Sequence, residues 1–491
     1  MAKTNWAATG ISGLDDVLRG GFPRDRIYLV QGDPGVGKTT LALQFLLEGV
    51  AQGEAGLYIT LSETEEEIRQ VAQAHGWSLD GLSLFELSAI EQSAHTAAEN
   101  TLFDPSEIEL REAMEPLLAR VDAVKPARVV FDSLSEIRLL AQSQLRYRRQ
   151  ILSLKQYFAG KHSTVLLLDD RTSAPGDMHL QSLAHGVLSL EQLAPEYGDD
   201  RRRLRVLKMR GLKFRGGYHD FNIRTGGLVV FPRLVASEHH TEFKRTPLPS
   251  GVAELDKLLG DGVDRGTSVL VIGPAGSGKS ILATQFAVAA AARGECAAFF
   301  AFEENLGTLV ARSDALGMNL SEHVKQRSVM LQQIDPAEMG PGEFAFTAKE
   351  AVERHGAKVV VIDSLNGFLN AMPEEQFLTA QMHELLSYFG QQGVTTILVM
   401  AQAGMFGHMS TPVDVSYLAD TVLLLRHFEA AGHIRKALSV VKKRSGMHES
   451  TIRELTLDAG GIHVGRPLEE FTGVLTGVPM FVGNRASLAN K

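Results

Sequence analysis

The sequence predicts an α/β fold that occurs twice along the chain, each copy being a mainly parallel sheet flanked by helices, with antiparallel strands at one edge. The chain has 491 residues, more than the roughly 250–300 that one hydrophobic core usually holds. A segment beginning at Thr9, TGISGLDDVLRGGFPRDRIYLVQGDPGVGKTTLALQF, returns from Ser250 as SGVAELDKLLGDGVDRGTSVLVIGPAGSGKSILATQF. Uninterrupted apolar strands alternate with helices in both copies, which indicates a sheet covered on both faces.

The repeat keeps its register over a long stretch. An offset of 241 residues relates Lys38 to Lys279 (279 − 38), and the same offset relates Glu63 to Glu304. We therefore expect a first domain at residues 1–236, a linker at 237–249 and a second domain at 250–491. The linker has two adjacent histidines and two prolines, a composition that favours a solvated connection over a metal site.

Each copy is predicted to contain the same elements in the same order. A buried strand enters a glycine-rich loop and then a helix, which a left-handed glycine ends near Gly53 or Gly294. A second strand, a mostly helical stretch and two further apolar strands follow, and turn-punctuated segments such as LRVLKMRG and ALSVVKKRSG form the antiparallel edge. The predicted parallel strands are 27–30, 57–61, 129–132 and 165–168 in the first copy and 269–272, 298–302, 359–363 and 396–400 in the second.

Both copies carry the pattern G-x-x-x-x-G-K-[ST] between a strand and a helix. Its glycines let successive backbone N–H groups face one anion, the lysine reaches the β- and γ-phosphates, and the hydroxyl binds Mg²⁺. Two matches in register predict nucleotide binding, with ATP and Mg²⁺ as the expected ligands. The predicted contacts are Gly32, Asp33, Pro34, Gly35, Val36, Gly37, Lys38, Thr39 and Thr40, and Gly273, Pro274, Ala275, Gly276, Ser277, Gly278, Lys279, Ser280 and Ile281.

An aspartate ends the third strand of each copy and is followed by Ser-Leu. A carboxylate at the carboxyl end of a strand beside such a loop can hold Mg²⁺ through water. Either aspartate alone could simply cap a helix, but its recurrence favours the metal role. The predicted metal ligands are Thr39 and Asp132 in the first copy and Ser280 and Asp363 in the second.

Together, the fused domains, the acids after the second strand, Asp-Ser-Leu after the third and K-x-R in a late strand resemble the KaiC family. This family belongs to the RecA superfamily of P-loop ATPases and autokinases, and the resemblance runs from about Thr9 to about Pro479. It implies two tandem RecA-like P-loop NTPase domains. It also implies a KaiB-like or other signalling protein as a partner.

The resemblance implies catalytic roles for the acids and for the loop lysines, Lys38 and Lys279. In the family, paired acids supply the general base that activates water or a hydroxyl. The second copy has both, Glu303 and Glu304, whereas the first copy has only Glu63 because Ser62 holds the first position. A general base contributes about 10²–10⁴ in rate, so hydrolysis in the first domain stays an open question. Capping of the following helix is the bland alternative for Glu303.

The K-x-R pairs match the family residues that reach across a subunit interface toward a neighbour's γ-phosphate. They are Lys208 and Arg210 in the first copy and Lys442 and Arg444 in the second. Cations of this kind stabilise charge during phosphoryl transfer. The resemblance therefore implies a homohexameric ring, although K-x-R alone is more often a solvated strand edge.

The family phosphorylates an adjacent serine and threonine in its second domain. Ser416 matches the serine, Tyr417 stands at the threonine position, and Thr411 matches an upstream threonine. A tyrosine hydroxyl lies several ångströms farther from its backbone, and in-line attack tolerates little misplacement. We therefore expect a serine autokinase that acts at one site, Ser416. The match stops soon after Pro479, so regulation through a longer tail and circadian timing do not transfer.

Composition excludes several other classes of protein. No apolar stretch reaches the roughly 18 residues that span a bilayer, and the N-terminal MAKTNWAATG lacks the apolar segment of a secretory signal. The single cysteine, Cys296, excludes an intramolecular disulfide and a cysteine-based zinc site. We expect a cytoplasmic protein without a membrane partner.

The net charge of −9 argues against a nucleic-acid partner, since such proteins usually present a basic face. The run of arginines at 201–203 reads better as a solvated hairpin tip. Two alternatives stay open beside a KaiC-like ATPase and autokinase. One is a DNA-acting ATPase similar to RecA or RadA, and the other is an ATP-dependent, non-catalytic signalling scaffold.

Overall fold

Two compact units make up the chain, Met1–Arg233 and Leu234–Lys491. The computed structural model describes residues 6–87, 105–170, 179–195, 197–370, 377–402, 417–475 and 479–482. Each unit is built around a nine-stranded sheet with helices packed against it. The predicted fold class, two tandem α/β domains of the RecA-like type, is confirmed.

In the first unit, strands and helices alternate up to an antiparallel edge. The strands are β1 (Trp6–Ala7), β2 (Phe22–Pro23), β3 (Ile27–Gly32), β4 (Gly56–Thr60), β5 (Leu82–Glu86), β6 (Arg128–Asp132), β7 (Thr164–Asp170), β8 (Gly186–Leu193), β9 (Arg201–Met209), β10 (His219–Arg224) and β11 (Gly227–Phe231). The helices are α1 (Leu14–Leu18), α2 (Lys38–Ala51), α3 (Glu65–Ala74), α4 (Pro105–Val124), α5 (Leu134–Ala141), α6 (Gln144–Phe158) and α7 (His179–Leu183).

The second unit repeats this order. Its strands are β12 (Pro247–Leu248), β13 (Val263–Asp264), β14 (Ser268–Gly273), β15 (Cys296–Ala301), β16 (Val329–Gln333), β17 (Ala357–Asp363), β18 (Thr395–Ala401), β19 (Thr421–Ala430), β20 (His433–Lys443), β21 (Ile452–Asp458), β22 (Gly461–Pro467), β23 (Phe471–Thr472) and β24 (Met480–Phe481). Its helices are α8 (Ala253–Leu258), α9 (Lys279–Ala292), α10 (Leu306–Ala315), α11 (Leu320–Lys325), α12 (Pro341–Glu353), α13 (Leu365–Asn370) and α14 (Leu378–Gln391).

The two main sheets share one topology. Their strand orders are β11-β10-β9-β8-β3-β7-β6-β4-β5 and β16-β15-β17-β18-β14-β19-β20-β21-β22. Neighbours from β5 to β8 and from β16 to β19 pair in parallel, and the remaining neighbours pair antiparallel. Sequence patterns alone miss the edge strands β5 and β16, whose half-buried side chains lack the apolar run of the inner strands.

Each sheet is apolar on both faces because a strand sends alternate side chains to opposite sides. Tyr28 and Val30 of β3 pack in one buried cluster with residues of α2, while Leu29 packs in another with residues of α6. Val271 and Leu270 of β14 divide between two clusters in the same way. The central strands are therefore fixed by packing from both sides.

The predicted linker at 237–249 lies against the second unit. The backbone N–H of Thr241 donates to the carbonyl of Gln391 at 3.1 Å. The ring of His239 meets Tyr388 edge-on at 5.2 Å, and the buried Ala236 precedes this segment. These contacts tie the segment to α14, so it is ordered on its own unit rather than free in solvent.

A fully buried arginine fixes the first unit. The Arg128 guanidinium donates to the carbonyls of Ala8 and Phe45 at 2.6 and 2.7 Å and from Nε to Glu54 at 2.6 Å. A Cβ at Gly49 would lie 2.6 Å from Arg128, so this helix residue leaves the space that the guanidinium fills. The arginine thereby joins α2, β6 and the N-terminal segment.

Replacing Arg128 with Met should lower the free energy of unfolding of the first unit by about 3–5 kcal/mol, because the change strands buried acceptors and a carboxylate. Arg24→Met is the matched control, since Arg24 also pairs with Glu54 at 2.5 Å but leaves the Arg128 contact in place. Its loss should be about 1 kcal/mol. Urea unfolding of the full chain measures both, and equal losses would contradict the assignment.

Candidate nucleotide-binding sites

A glycine-rich loop joins the central strand to the next helix in each unit. Residues 32–39 connect β3 to α2, and residues 273–280 connect β14 to α9. Gly37 and Gly278 directly precede the helices with φ of 104° and 100°, values that L side chains rarely adopt. A Cβ at Gly37 would lie 2.6 Å from Cδ1 of Ile223. Only glycine allows this loop, which directs it toward the free N–H groups of the helix terminus.

The other predicted contacts lie along these two loops and helix starts. Gly32 and Gly273 end their strands, and the residues up to Gly37 and Gly278 form the loops. The first helical residues are Lys38, Thr39 and Thr40 in α2 and Lys279, Ser280 and Ile281 in α9.

Parallel pairing brings further side chains to the same edge of each sheet. The carboxyl ends of β3, β7, β6 and β4 are neighbours, as are those of β14, β18, β17 and β15. In the first unit this edge carries Asp170, Asp132 and, just after β4, Glu63; in the second it carries Asp363 and, after β15, Glu303 and Glu304.

A hydroxyl and a carboxylate meet at the predicted metal position of the first unit. Thr39 Oγ1 donates to Asp132 Oδ2 at 2.9 Å, and the buried Tyr58 hydroxyl donates to the same oxygen at 2.5 Å. Burial raises the pKa of Asp132, although both hydrogen bonds act to lower it. The donor set, one hydroxyl and one carboxylate beside a phosphate loop, suits Mg²⁺.

The loop lysine of the first unit is fully engaged. Lys38 Nζ donates to the carbonyls of Gly32 and Asp33, each at 2.9 Å, and pairs with Asp170 Oδ1 at 2.7 Å. An ammonium has three donors, so these contacts use all of them. Asp170 also accepts from Ser135 Oγ at 3.1 Å.

Glu63 faces the same site with an unsatisfied oxygen. Its Oε2 is buried and has no hydrogen-bond partner. Burial raises the pKa of the Glu63 carboxyl, and the nearby negative charges of Asp132, Glu67 and Asp170 raise it further. Ser62, at the position of the missing acid, is exposed. A buried carboxylate with a raised pKa beside a phosphate loop has the properties of a general base.

The second unit repeats the metal pair in a different environment. Ser280 hydrogen-bonds to Asp363, and burial raises the pKa of that carboxyl to about 6. Lys279 Nζ donates to the carbonyl of Pro274 at 2.7 Å. Burial lowers the pKa of Lys279, and the charges of Asp363 and Glu303 oppose that shift. In both units, the peptide bond after the aspartate is cis, at Asp132–Ser133 and Asp363–Ser364.

The paired acids of the second unit differ in their contacts. Arg312 of α10 holds Glu304 in a bidentate ion pair at 2.6 and 2.8 Å. Glu303 is exposed and makes no such contact. The offset of 241 places Val71 where Arg312 stands (312 − 241), so Glu63 lacks the arginine that holds Glu304.

The K-x-R cations lie far from the loop of their own unit. The backbone N–H of Arg210 donates to His185, whose N–H donates to Ile27 at the start of β3. The loop 32–39 follows the other end of that strand, about 15–20 Å away at the usual strand rise. Lys208 and Arg210 donate to the carbonyls of Gln181 and Ser182, respectively.

The second unit has the same arrangement. The N–H of Arg444 donates to Asp420, whose N–H donates to Ser268 at the start of β14. Lys442 Nζ donates to the carbonyl of Ala419 at 2.7 Å, and Arg444 donates to that of Tyr417 at 2.9 Å. The cations of each unit therefore lie at the opposite edge of the sheet from its loop.

Sequence reasoning misses Asp170, Tyr58 and Arg312. Asp170 could have been found, because it ends an apolar strand just as Asp132 does. The other two carry no local pattern. The predicted acceptor Ser416 and the matching Thr411 lie outside the described residues, whereas Tyr417 is described and is 54% exposed.

Comparison with known proteins supports the match across both units. The family model described as KaiC ATPase matches residues 7–235 and again 248–469. The circadian clock protein KaiC3 of Synechocystis sp. is 27% identical over 490 residues, covering 96% of this chain and 94% of that protein. The circadian clock oscillator protein KaiC of Synechococcus elongatus is 26% identical over 479 residues, covering 96% and 91%.

Within the part of the chain that the structure describes, no helix is long and apolar enough to cross a membrane. The family match spans both α/β units, and it includes both glycine-rich loops with their aspartates. The chain therefore belongs to the KaiC ATPase family and carries two of its ATPase domains in tandem.

Proposed function

We propose that the chain is a homohexameric ATPase that binds Mg·ATP in both domains and phosphorylates its own Ser416 in the second. The supporting observation is the recurrence, in both units, of a phosphate loop whose hydroxyl contacts a strand-end aspartate. Thr39 with Asp132 and Ser280 with Asp363 would hold Mg²⁺. The bound ion would neutralise charge on the transferring phosphoryl group.

Different acids serve as the base in the two domains. Glu303 is exposed and free of an ion pair, so it can reach water or a hydroxyl, whereas Glu304 is held by Arg312 and acts through position. In the first domain, Glu63 takes the catalytic role with its unpaired buried oxygen. If Glu63 fails as a base, the first domain is an ATP-dependent scaffold, which Ser62 favours.

Autophosphorylation takes place between copies of the chain. Tyr417, which directly follows Ser416, lies beside Arg444 at the edge opposite the loop of its own unit. An acceptor there is too far from its own γ-phosphate, and a ring brings it to a neighbour's. The same reasoning gives Lys208, Arg210, Lys442 and Arg444 their role across an interface, as head-to-tail contacts in a closed ring require.

The physiological role in this proposal is signalling or clock-like regulation in the cytoplasm, through a KaiB-like or other protein partner. It rests on the names of the relatives, which are clock proteins. The acidic net charge gives no support to a DNA-acting motor.

Glu303→Gln should lower ATP turnover in the second domain by about 10²–10⁴ while nucleotide still binds, because the amide cannot accept the proton. The change is made in a Lys38→Ala background, which silences the first domain. ADP release measures turnover, and mass-spectrometric mapping should find phosphate on Ser416 only when Glu303 is intact.

The converse change tests the first domain. In a Lys279→Ala background, Ser62→Glu should raise turnover and Glu63→Gln should lower it. Retention of full turnover by Glu303→Gln would refute its role as base. An active hexamer without phosphate on Ser416 would leave a plain ATPase.

Mixing two inactive variants should restore phosphorylation if the cations act across an interface. Lys279→Ala lacks the loop lysine, and Lys442→Ala/Arg444→Ala lacks the cations. In randomly mixed rings, about a quarter of interfaces combine an intact loop with intact cations, as heterologous contacts allow. Phosphate on Ser416 should return to about that fraction. Native mass spectrometry checks that the rings are hexamers, and a mixture as inactive as its parts would contradict the proposal.

Asp363→Asn should stabilise the second unit in the absence of metal and nucleotide. The pKa of about 6 means that the folded state keeps a costly ionised carboxylate above pH 6. At pH 8 the gain should be about 2–3 kcal/mol, and it should disappear as pH falls through 6 toward 4. Calorimetry in EDTA measures it, with the exposed Asp261→Asn as control. A gain that does not depend on pH would contradict this cause.

A further inference from the structure

We infer that Asp170 is a counter-ion built into the first domain, which competes with nucleotide phosphates for Lys38 and makes the first site bind ATP more weakly than the second. The inference rests on the proposed binding of ATP in both domains. It concerns a residue outside the glycine-rich loop and outside the metal pair.

The lysines of the two loops differ in what they contact. Lys38 has its three donors on Gly32, Asp33 and Asp170, and its side chain is 7% exposed. Lys279 has a single hydrogen-bond partner among the described residues, the carbonyl of Pro274. A phosphate must therefore displace an ion pair in the first site, whereas donors of Lys279 are available in the second.

The difference traces to one position in the sheet. Asp170 of β7 lies opposite Gly32 of β3, and Ala401 of β18 lies opposite Gly273 of β14 in the same register. The second copy therefore has a methyl group where the first has a carboxylate. No side chain at 401 can pair with the loop lysine.

A second position changes together with the first. Ser135, in the first turn of α5, donates to the Asp170 carboxylate. Its counterpart at the offset of the strand-end aspartates (363 − 132) is Asn366, which instead bonds to the backbone N–H and carbonyl of Ala401. Each copy thus anchors the strand end, but only the first copy fixes a charge there.

Charge balance in the first site reinforces the competition. Asp170 acts on both Glu63 and Asp132 as a nearby negative charge. When the phosphates take Lys38, the released Asp170 carboxylate faces them without its counter-ion. The first site therefore loses an ion pair and gains a repulsion on binding ATP, and neither cost arises at Ala401.

The test exchanges the two arrangements. In the full chain with Lys279→Ala, so that only the first site reports, Asp170→Ala/Ser135→Asn should bind the fluorescent analogue mant-ATP about tenfold more tightly than the parent. In the full chain with Lys38→Ala, Ala401→Asp/Asn366→Ser should weaken binding at the second site by a similar factor. Fluorescence titration with Mg²⁺ measures both, without requiring turnover.

Asp170→Asn separates charge from shape. It keeps the size of the side chain and its contact with Ser135, so it should tighten binding nearly as much as the double change. Unchanged or weaker binding in Asp170→Asn and Asp170→Ala would overturn the inference. Absence of mant-ATP binding at the first site in every variant would instead defeat the proposed function of that domain, and circular dichroism confirms that each variant is folded.

Discussion

The parallel order of the central strands is the constraint on which each domain depends. Because neighbouring parallel strands end at the same edge, the phosphate loop after β3 meets Asp132 of β6 and Glu63 after β4 without any long-range side-chain contact being needed. Packing on both faces of the sheet fixes the strands, and the strands fix the distance between Thr39 and Asp132. Loss of that register would separate the hydroxyl from the carboxylate before it changed any single residue of the site.

The same constraint sends the K-x-R cations to the other edge. Antiparallel β9 and β20 return the chain toward the start of the central strand, so Arg210 and Arg444 lie level with Ile27 and Ser268. A domain of this topology cannot bring its own late cations to its own phosphate loop. Any chemistry that uses both edges has to be shared between copies, which is why a ring follows from the fold and not only from the family resemblance.

The sequence predicts the fold class, the duplicated loops and the strand-end aspartates, since each depends on local pattern and on register. It misses β5 and β16, whose side chains are only half-buried and so carry no continuous apolar run. The partners of individual side chains are also out of reach. Nothing in the spacing of Glu304 and Arg312 reveals a bidentate pair, because that contact depends on how α10 leaves the end of β15.

Divergence between the copies is concentrated in charge rather than in fold. The second copy neutralises Glu304 with Arg312, leaves Glu303 free and has Ala401 beside the loop. In the first copy, Val71 provides no such arginine, so Glu63 stays unpaired, and Asp170 occupies the lysine instead. Each change is a single substitution on an unchanged backbone, yet the changes point one way. They stabilise the first site without a nucleotide, and they leave the second site with an available lysine and an available acid, which is the arrangement that phosphoryl transfer requires.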